Sequence, residues 1–231
     1  MKRRLALVTL LVVWGLSGAT AAEEAKKASE GALIEAIKNG KLLLDARYRF
    51  EWKDQEGFAD EAYANTLRTR LGYETGSFHG FKILVEFENI FSIGDDRFNS
   101  TTNGLVQYPV IADPNATEVN RAQVTFTGVD DVDITIGRQR LNLANQRFLG
   151  AVDFRQNEQT YDAARLTAEV FEAFTVDYAY LSRVHRVFGD NNPLGEFDSD
   201  SHVFAAVYDG REFGKVTAYG LLLDFDEAPR L

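Results

Sequence analysis

The sequence predicts an all-β protein, an antiparallel up-and-down transmembrane β-barrel, and three observations support this fold class. Apolar and polar side chains alternate with a period of two, as in strands whose successive side chains point to opposite faces. Nine such stretches follow one another, most of them longer than the roughly five or six residues usual in soluble sheets. Short and long connections alternate between them, as in outer-membrane barrels with turns at one end and loops at the other.

The first element is predicted to be a secretory signal peptide over residues 1–22. Three basic residues at 2–4 precede an apolar stretch from Leu5 to Leu16, and ATA at 19–21 is a small-residue cleavage pattern. The apolar stretch is shorter than the roughly 20 residues that a transmembrane helix needs. We therefore expect an exported mature chain.

Residues 23–40 are predicted to form a short periplasmic helical leader. Gly40 would end this helix, and Leu33, Ile34 and Ile37 would form its apolar stripe. The chain contains no cysteine, so it is stabilised without disulfides. Its net charge is −10, and loss of the basic residues at 2–4 makes it more acidic still. Binding to nucleic acid is therefore not expected.

A partial β-barrel domain is predicted from residue 41 to residue 231, where the two-residue period begins. In the first stretch, LLLDARYRFEW, Leu44, Tyr48 and Phe50 share one side, whereas Arg47 and Arg49 share the other. The later stretches repeat this division. The nine predicted strands cover residues 42–53, 64–75, 81–92, 119–128, 132–142, 161–171, 174–187, 202–209 and 215–225.

The alternation by itself leaves open which face is inside, because a soluble sandwich or barrel would bury the apolar face. Long strands, unequal loops and several arginines in the middle of polar faces favour a water-filled lumen with the apolar face toward lipid. Aromatic residues near strand ends match the interfacial belts of membrane barrels. These aromatic residues are Trp52, Tyr73, Phe81, Tyr178 and Phe225.

Nine antiparallel strands cannot close with uniform antiparallel pairing, and bacterial single-chain barrels have even strand numbers. The sequence ends in DFDEAPRL, just after the ninth predicted strand. We therefore expect this chain to be the N-terminal part, about half, of a larger barrel.

Several motifs are similar to those of the alginate-export family of outer-membrane porins. They are NTLRTRLGYETGSFHGF at 65–81, GRQRLNLANQRFLG at 137–150 and FRQNEQTYDA at 154–163. The resemblance covers most of residues 41–231. It implies an eighteen-stranded barrel in the outer membrane, with an electropositive constriction that passes anionic polyuronate chains.

Arginines on the polar sides of the strands are the candidate pore-lining residues. A guanidinium group stays charged and binds carboxylates through a planar pair of donors, so a row of arginines would guide anionic sugars or small anions. Alternatively, these arginines pair with carboxylates of neighbouring strands and stiffen the wall. The candidate arginines are Arg47, Arg49, Arg68, Arg70, Arg121, Arg138, Arg140, Arg165 and Arg183; the lumen carboxylates are Asp45, Glu51, Glu74, Glu86, Glu88, Glu169 and Asp177.

Arg138 and Arg140 depart from the pattern. Alternate residues of a strand share one face, so in an unbroken strand both arginines would face lipid together with Ile134 and Ile136. Near the midplane that costs about 2–4 kcal/mol per arginine. Either a bulge near Gly137 reverses the register and brings both inside, or both lie at the headgroup level. The sequence leaves these alternatives open.

No catalytic constellation is visible, and we predict that the protein is not an enzyme. His79, His185 and His202 lie on separate segments without metal-ligand spacing, and we predict neither a metal site nor a cofactor. The expected function is passive transport or export of anionic polysaccharide or small anions. The alternative is a structural or adhesive barrel that acts through its external loops. Expected partners are outer-membrane lipid, lipopolysaccharide and the barrel-assembly machinery.

Overall fold

A computed structural model describes residue 23, residues 26–143, residue 146 and residues 148–226. The predicted signal peptide lies outside the described residues. A helix, α1, covers residues 26–38, and a 3-10 helix covers Arg211–Phe213. The strands are β1 Lys41–Lys53, β2 Ala62–Glu74, β3 Phe81–Ser92, β4 Ala116–Val129, β5 Val132–Gln139, β6 Thr160–Phe171, β7 Phe174–His185, β8 Glu196–Asp209 and β9 Lys215–Leu222.

The nine strands form one antiparallel sheet in chain order, which confirms the predicted up-and-down arrangement. The connections after β2, β4, β6 and β8 are short, and those after β1, β3, β5 and β7 are long. All described long loops therefore lie at one end of the sheet. The main difference from the prediction is β8, which begins six residues early at Glu196. There Arg183 and His185 of β7 pair with Asp198 and Glu196 of β8, so charged residues extend the strand.

The sheet exposes its apolar side chains and buries its charged ones, and β3 shows this most clearly. Phe81, Ile83 and Phe87 are about half exposed, whereas Glu86 and Glu88 are almost completely buried. A water-soluble sheet has the opposite arrangement, because burial of apolar surface drives its folding. The exposed apolar face is therefore suited to lipid, as the sequence analysis predicted.

Two long loops cover part of the polar face. The β3–β4 loop, residues 93–115, places Phe98 and Ile111 against Ala62 and Ala64 of β2. The β5–β6 loop, residues 140–159, contributes leucines to a second apolar cluster on β6, β7 and β8. In both places alanine side chains on the strands leave the space that larger loop side chains fill. The members of the second cluster are Leu141, Leu143, Leu149, Tyr161, Ala163, Ala179, Leu181, Val184, Val203 and Ala205.

Helix α1 contacts the sheet at the end that carries the short turns. The backbone N–H of Gly76 donates a 2.7 Å hydrogen bond to Ala36 O, and the Tyr73 hydroxyl donates to Ile37 O. The predicted apolar stripe of the helix is about half exposed. Among the described residues, no helix combines the length and the hydropathy needed to cross a bilayer.

We predict that an arginine on the apolar face will destabilise the folded barrel far more than an arginine on the polar face. Phe87→Arg, at the middle of β3, should lower the free energy of unfolding by about 2–4 kcal/mol, because it places a charge in the hydrocarbon. Gln123→Arg, on the polar side of the adjacent β4, is the matched control and should cost much less. Denaturant unfolding of the full-length protein in lipid vesicles measures both. Equal losses would contradict the assigned orientation.

Candidate functional site

The candidate site lies on the polar face of β1–β4, where the β5–β6 loop folds against the sheet. Gln156 is the centre of this contact and is completely buried. Its side-chain amide donates to Thr66 Oγ1 at 2.8 Å and to Arg47 O at 3.2 Å. Its backbone N–H donates to Asp113 Oδ1 at 2.9 Å. One glutamine thus joins β1, β2 and both inward-folded loops.

Two arginines of β1 hold the preceding part of the loop. Arg47 donates from Nε to Gln156 Oε1 at 2.9 Å and from Nη1 to Asp153 O at 2.8 Å, and it also donates to Arg155 O. Arg49 donates to Phe154 O. These hydrogen bonds join the carbonyls of three successive loop residues, 153–155, to β1. Arg47 and Arg49 therefore support the loop as well as line the polar face.

Two buried carboxylates, Glu88 and Glu158, join the loop to the arginines of β2. Both side chains are fully buried. Arg70 donates from Nε to Glu88, and its Nη1 lies 3.3 Å from Glu158 Oε2. Asn120 Nδ2 donates to Glu158 Oε1 at 2.8 Å, and Arg140 Nη2 donates to the same oxygen. Because burial of an unpaired charge is very costly, each member of this network requires the others.

The other candidate arginines also contact carboxylates, mostly on the neighbouring strand. Arg121 forms a two-point pair with Glu86, with distances of 2.9 and 2.7 Å. Arg165 forms a similar pair with Asp177. The remaining pairs are Arg49 with Glu51, Arg68 with Asp45 and Glu88, Arg138 with Asp162, and Arg183 with Asp198. For Glu74 and Glu169, no arginine of the described ranges lies within ion-pair distance. A role in guiding anions stays a prediction for all of these residues.

Arg138 and Arg140 both lie near Glu158 of the β5–β6 loop. The register of β5 continues without a shift through Gly137 on both sides, so the bulge considered above does not form there. Arg138 nevertheless borders the same cleft as Asn120 and Glu158, and its Nε donates to Asp162 at 3.1 Å. Arg140 follows the strand and contacts Glu158 of the loop. Gly137 has φ +116°, and a Cβ there would lie 2.3 Å from Ala122 O, so this position requires glycine.

Sequence reasoning did not find the loop residues that complete the site. Loops lack the two-residue period that identified the strand residues. One available signal was the set of alanines on the polar sides of the strands, because small residues there leave room for an inward-folded loop. The missed loop residues are Asp113, Arg155, Gln156, Asn157 and Glu158, and Asn120 of β4 was missed as well.

Comparison with known proteins gives one family and several solved structures. The family model described as "Alginate export" matches residues 41–228. No match was found among curated proteins. Pseudomonas aeruginosa OccK9 (OpdG) has a TM-score of 0.59 at 14% identity, over 82% of this chain and 51% of that chain.

Two further solved structures from Pseudomonas aeruginosa carry a bound ligand. OpdK with vanillate has a TM-score of 0.58 at 14% identity, over 81% of this chain and 50% of that chain. OccK2 (OpdF) in complex with glucuronate has a TM-score of 0.57 at 15% identity, over 81% of this chain and 47% of that chain. At these identities the likeness concerns the fold. The chain spans about half the length of the solved chains that it matches.

We predict that Gln156→Ala will release the β5–β6 loop from the sheet. The substitution leaves Thr66 and Arg47 without their buried partner, so the free energy of unfolding should fall by about 1–3 kcal/mol. Hydrogen exchange of the full-length protein in detergent should show faster exchange at residues 153–157. Gln107→Ala, at an exposed glutamine of the β3–β4 loop, is the control. Unchanged exchange in the Gln156 variant would show that this residue does not hold the loop.

Proposed function

Because this chain belongs to the alginate export family, we propose that it forms part of a passive channel for anionic solutes. The favoured solutes are acidic polysaccharides of the alginate type and small carboxylates. The chain is located in the bacterial outer membrane, with its exposed apolar face toward lipid and its charged face toward the lumen.

The observation that supports this proposal is the group of charged side chains around the inward-folded β5–β6 loop. The loop reduces the open space over the polar face and brings arginines from the wall and from the loop together. Six arginines and six carboxylates meet there, so their charges balance and the guanidinium groups that stay exposed are the ones available to a solute. They are Arg47, Arg49, Arg68, Arg70, Arg140 and Arg155, with Asp45, Glu51, Glu88, Asp113, Glu118 and Glu158.

Three of the candidate arginines are suited to meet a passing anion, because their side chains remain partly exposed. Arg183 is 43% exposed, Arg140 is 34% exposed and Arg165 is 27% exposed, whereas Arg68 and Arg70 are almost buried. Pairing with a carboxylate weakens the positive field at each of the three positions. Weak and repeated contacts favour conduction, since a solute must leave each site as well as enter it.

The ligands bound in two similar structures agree with a carboxylate solute. OccK2 was solved in complex with glucuronate, and OpdK with vanillate, and both ligands are carboxylic acids. Adhesion through external loops is the alternative function. In this chain the β3–β4 and β5–β6 loops bury apolar side chains against the sheet, so their packing supports a role inside the barrel.

We expect opposite changes in ion selectivity when the two members of the Arg165–Asp177 pair are neutralised separately. Arg165→Gln should lower the anion-to-cation permeability ratio by roughly twofold to fivefold, because one charge at about 4 Å contributes about 1 kcal/mol in water. Asp177→Asn should raise the ratio by a similar factor. Reversal potentials of the full-length protein in a planar bilayer under a salt gradient measure both.

Two variants on the apolar face provide the control for this measurement. Leu166→Ala and Tyr178→Phe change partly exposed side chains on the same strands and should leave the reversal potential unchanged. Cation preference in the unmodified protein would contradict the anionic-solute proposal. The absence of steady conductance in the folded protein would contradict a channel altogether.

A further inference from the structure

A histidine and three carboxylates meet at the long-loop end of the sheet, outside the network around Glu158. His185 ends β7, Asp190 lies in the β7–β8 loop, and Glu196 begins β8. One potential ligand atom from each lies within 4.8 Å of the other two. The carboxyl group of Glu118 on β4 lies against that of Asp190. From these contacts we propose a binding site for a first-row divalent transition-metal ion, with Zn²⁺ as the representative.

The hydrogen bonds of His185 prepare its Nδ1 atom for a metal. The side chain is 7% exposed, and Nε2 lies 2.9 Å from Asp162 Oδ2. When Nε2–H donates to this carboxylate, the proton is kept on Nε2 and a lone pair remains on Nδ1. Metal-binding histidines commonly donate their second N–H to a carboxylate in this way. Asp162 is itself held by Arg138 Nε at 3.1 Å.

The Nδ1 atom points into the carboxylate group without forming a hydrogen bond there. It lies 2.7 Å from Glu196 Oε1, yet it is a buried polar atom without a hydrogen-bond partner. A neutral imidazole with its proton on Nε2 has no proton to give to Glu196. A cation bound there accepts the lone pair of His185 Nδ1 and contacts one carboxylate oxygen each of Asp190 and Glu196. It also offsets the repulsion between the carboxyl groups of Asp190 and Glu118.

The neighbouring cations leave this position available. Arg183 donates from Nε to Asp198 at 2.7 Å, and its Nη1 lies 3.8 Å from Glu196 Oε2, so Oε1 remains directed toward His185. Arg186 donates to Leu194 O at 3.0 Å and lies over the rings of Phe188 and Phe197. Asp190 is exposed, so an ion can enter from solvent.

The donor set selects the class of ion. Imidazole nitrogen with carboxylate oxygens suits Zn²⁺ and similar transition metals, whereas Ca²⁺ prefers six to eight oxygen ligands. Ligand atoms around a tetrahedral Zn²⁺ ion lie about 3.4 Å apart for bond lengths of about 2.1 Å. Nδ1 of His185 lies 2.7 Å from Glu196 Oε1, and the ligand atoms lie within 4.8 Å of one another, so binding requires rotation of the exposed side chains of Asp190 and Glu196. The ion holds the β7–β8 loop, residues 186–195, against β4. No metal was expected here from the sequence, because His79, His185 and His202 lie on separate segments without metal-ligand spacing.

The proposal is tested by titrating Zn²⁺ into the full-length protein in detergent after treatment with a chelator, with isothermal titration calorimetry as the readout. Asp190→Asn and Glu196→Gln should each weaken binding by more than about tenfold, since even second-sphere changes weaken metal sites by roughly tenfold to a hundredfold. Asp95→Asn, at an exposed aspartate of another long loop, is the matched control. His185→Gln should weaken Zn²⁺ binding in the same way, and His79→Gln is its control.

Hydrogen exchange gives a second measurement that does not depend on calorimetry. Zn²⁺ should slow exchange in residues 186–195 of the unmodified protein and should have no such effect in Asp190→Asn. Heat-dependent gel mobility shows that each variant is folded. The proposal is contradicted if Zn²⁺ binds equally well to Asp190→Asn, Glu196→Gln and the controls. It is also contradicted if Ca²⁺ binds as tightly as Zn²⁺, or if no Zn²⁺ binds to the folded protein.

Discussion

The buried ion network of Glu88 and Glu158 with Arg70 and Arg140 is the interaction on which the described architecture depends. Both carboxylates are completely buried, and neither side chain could remain charged there without its cationic partners. Glu88 belongs to the wall and Glu158 to the β5–β6 loop, so the loop cannot leave the sheet without exposing or unpairing charges. The same contacts bring arginines into the polar space. The position of the loop and the charge of the lumen are therefore set together.

The lipid environment explains why the sheet is stable with apolar side chains exposed on one face and charged side chains buried on the other. Each described strand pairs with its neighbours in chain order, so backbone groups between adjacent strands are satisfied within the sheet. That is a requirement in hydrocarbon, which offers no hydrogen bonds. Phe87 on the exposed face and Glu88 on the buried face are adjacent in the sequence. In a soluble protein the phenylalanine would be buried and the glutamate exposed. Here the order is reversed because Phe87 faces lipid and Glu88 faces the polar interior.

The positions of the strands and the directions of their side chains could be predicted well from the sequence. The residues that form the candidate site could be predicted only in part. Period-two alternation is a local property, and it placed Arg68 and Glu88 on the polar side without knowledge of their neighbours. Gln156 and Asp113 lie in loops, whose positions depend on distant contacts with Thr66 and Arg47. The β8 extension was missed for a related reason, since Asp198 and Glu196 become strand residues only opposite Arg183 and His185.

The central claim is that apolar side chains face lipid and charged side chains face water on opposite sides of one sheet. Single cysteines at positions 82–88 of β3 would test it most directly, because the chain has no native cysteine. A nitroxide label at each position of the full-length protein in vesicles reports contact with lipid-soluble oxygen and with a water-soluble nickel chelate. Our account predicts oxygen maxima at 83, 85 and 87, with minima between them. Maxima at 82, 84, 86 and 88, or no alternation, would contradict it.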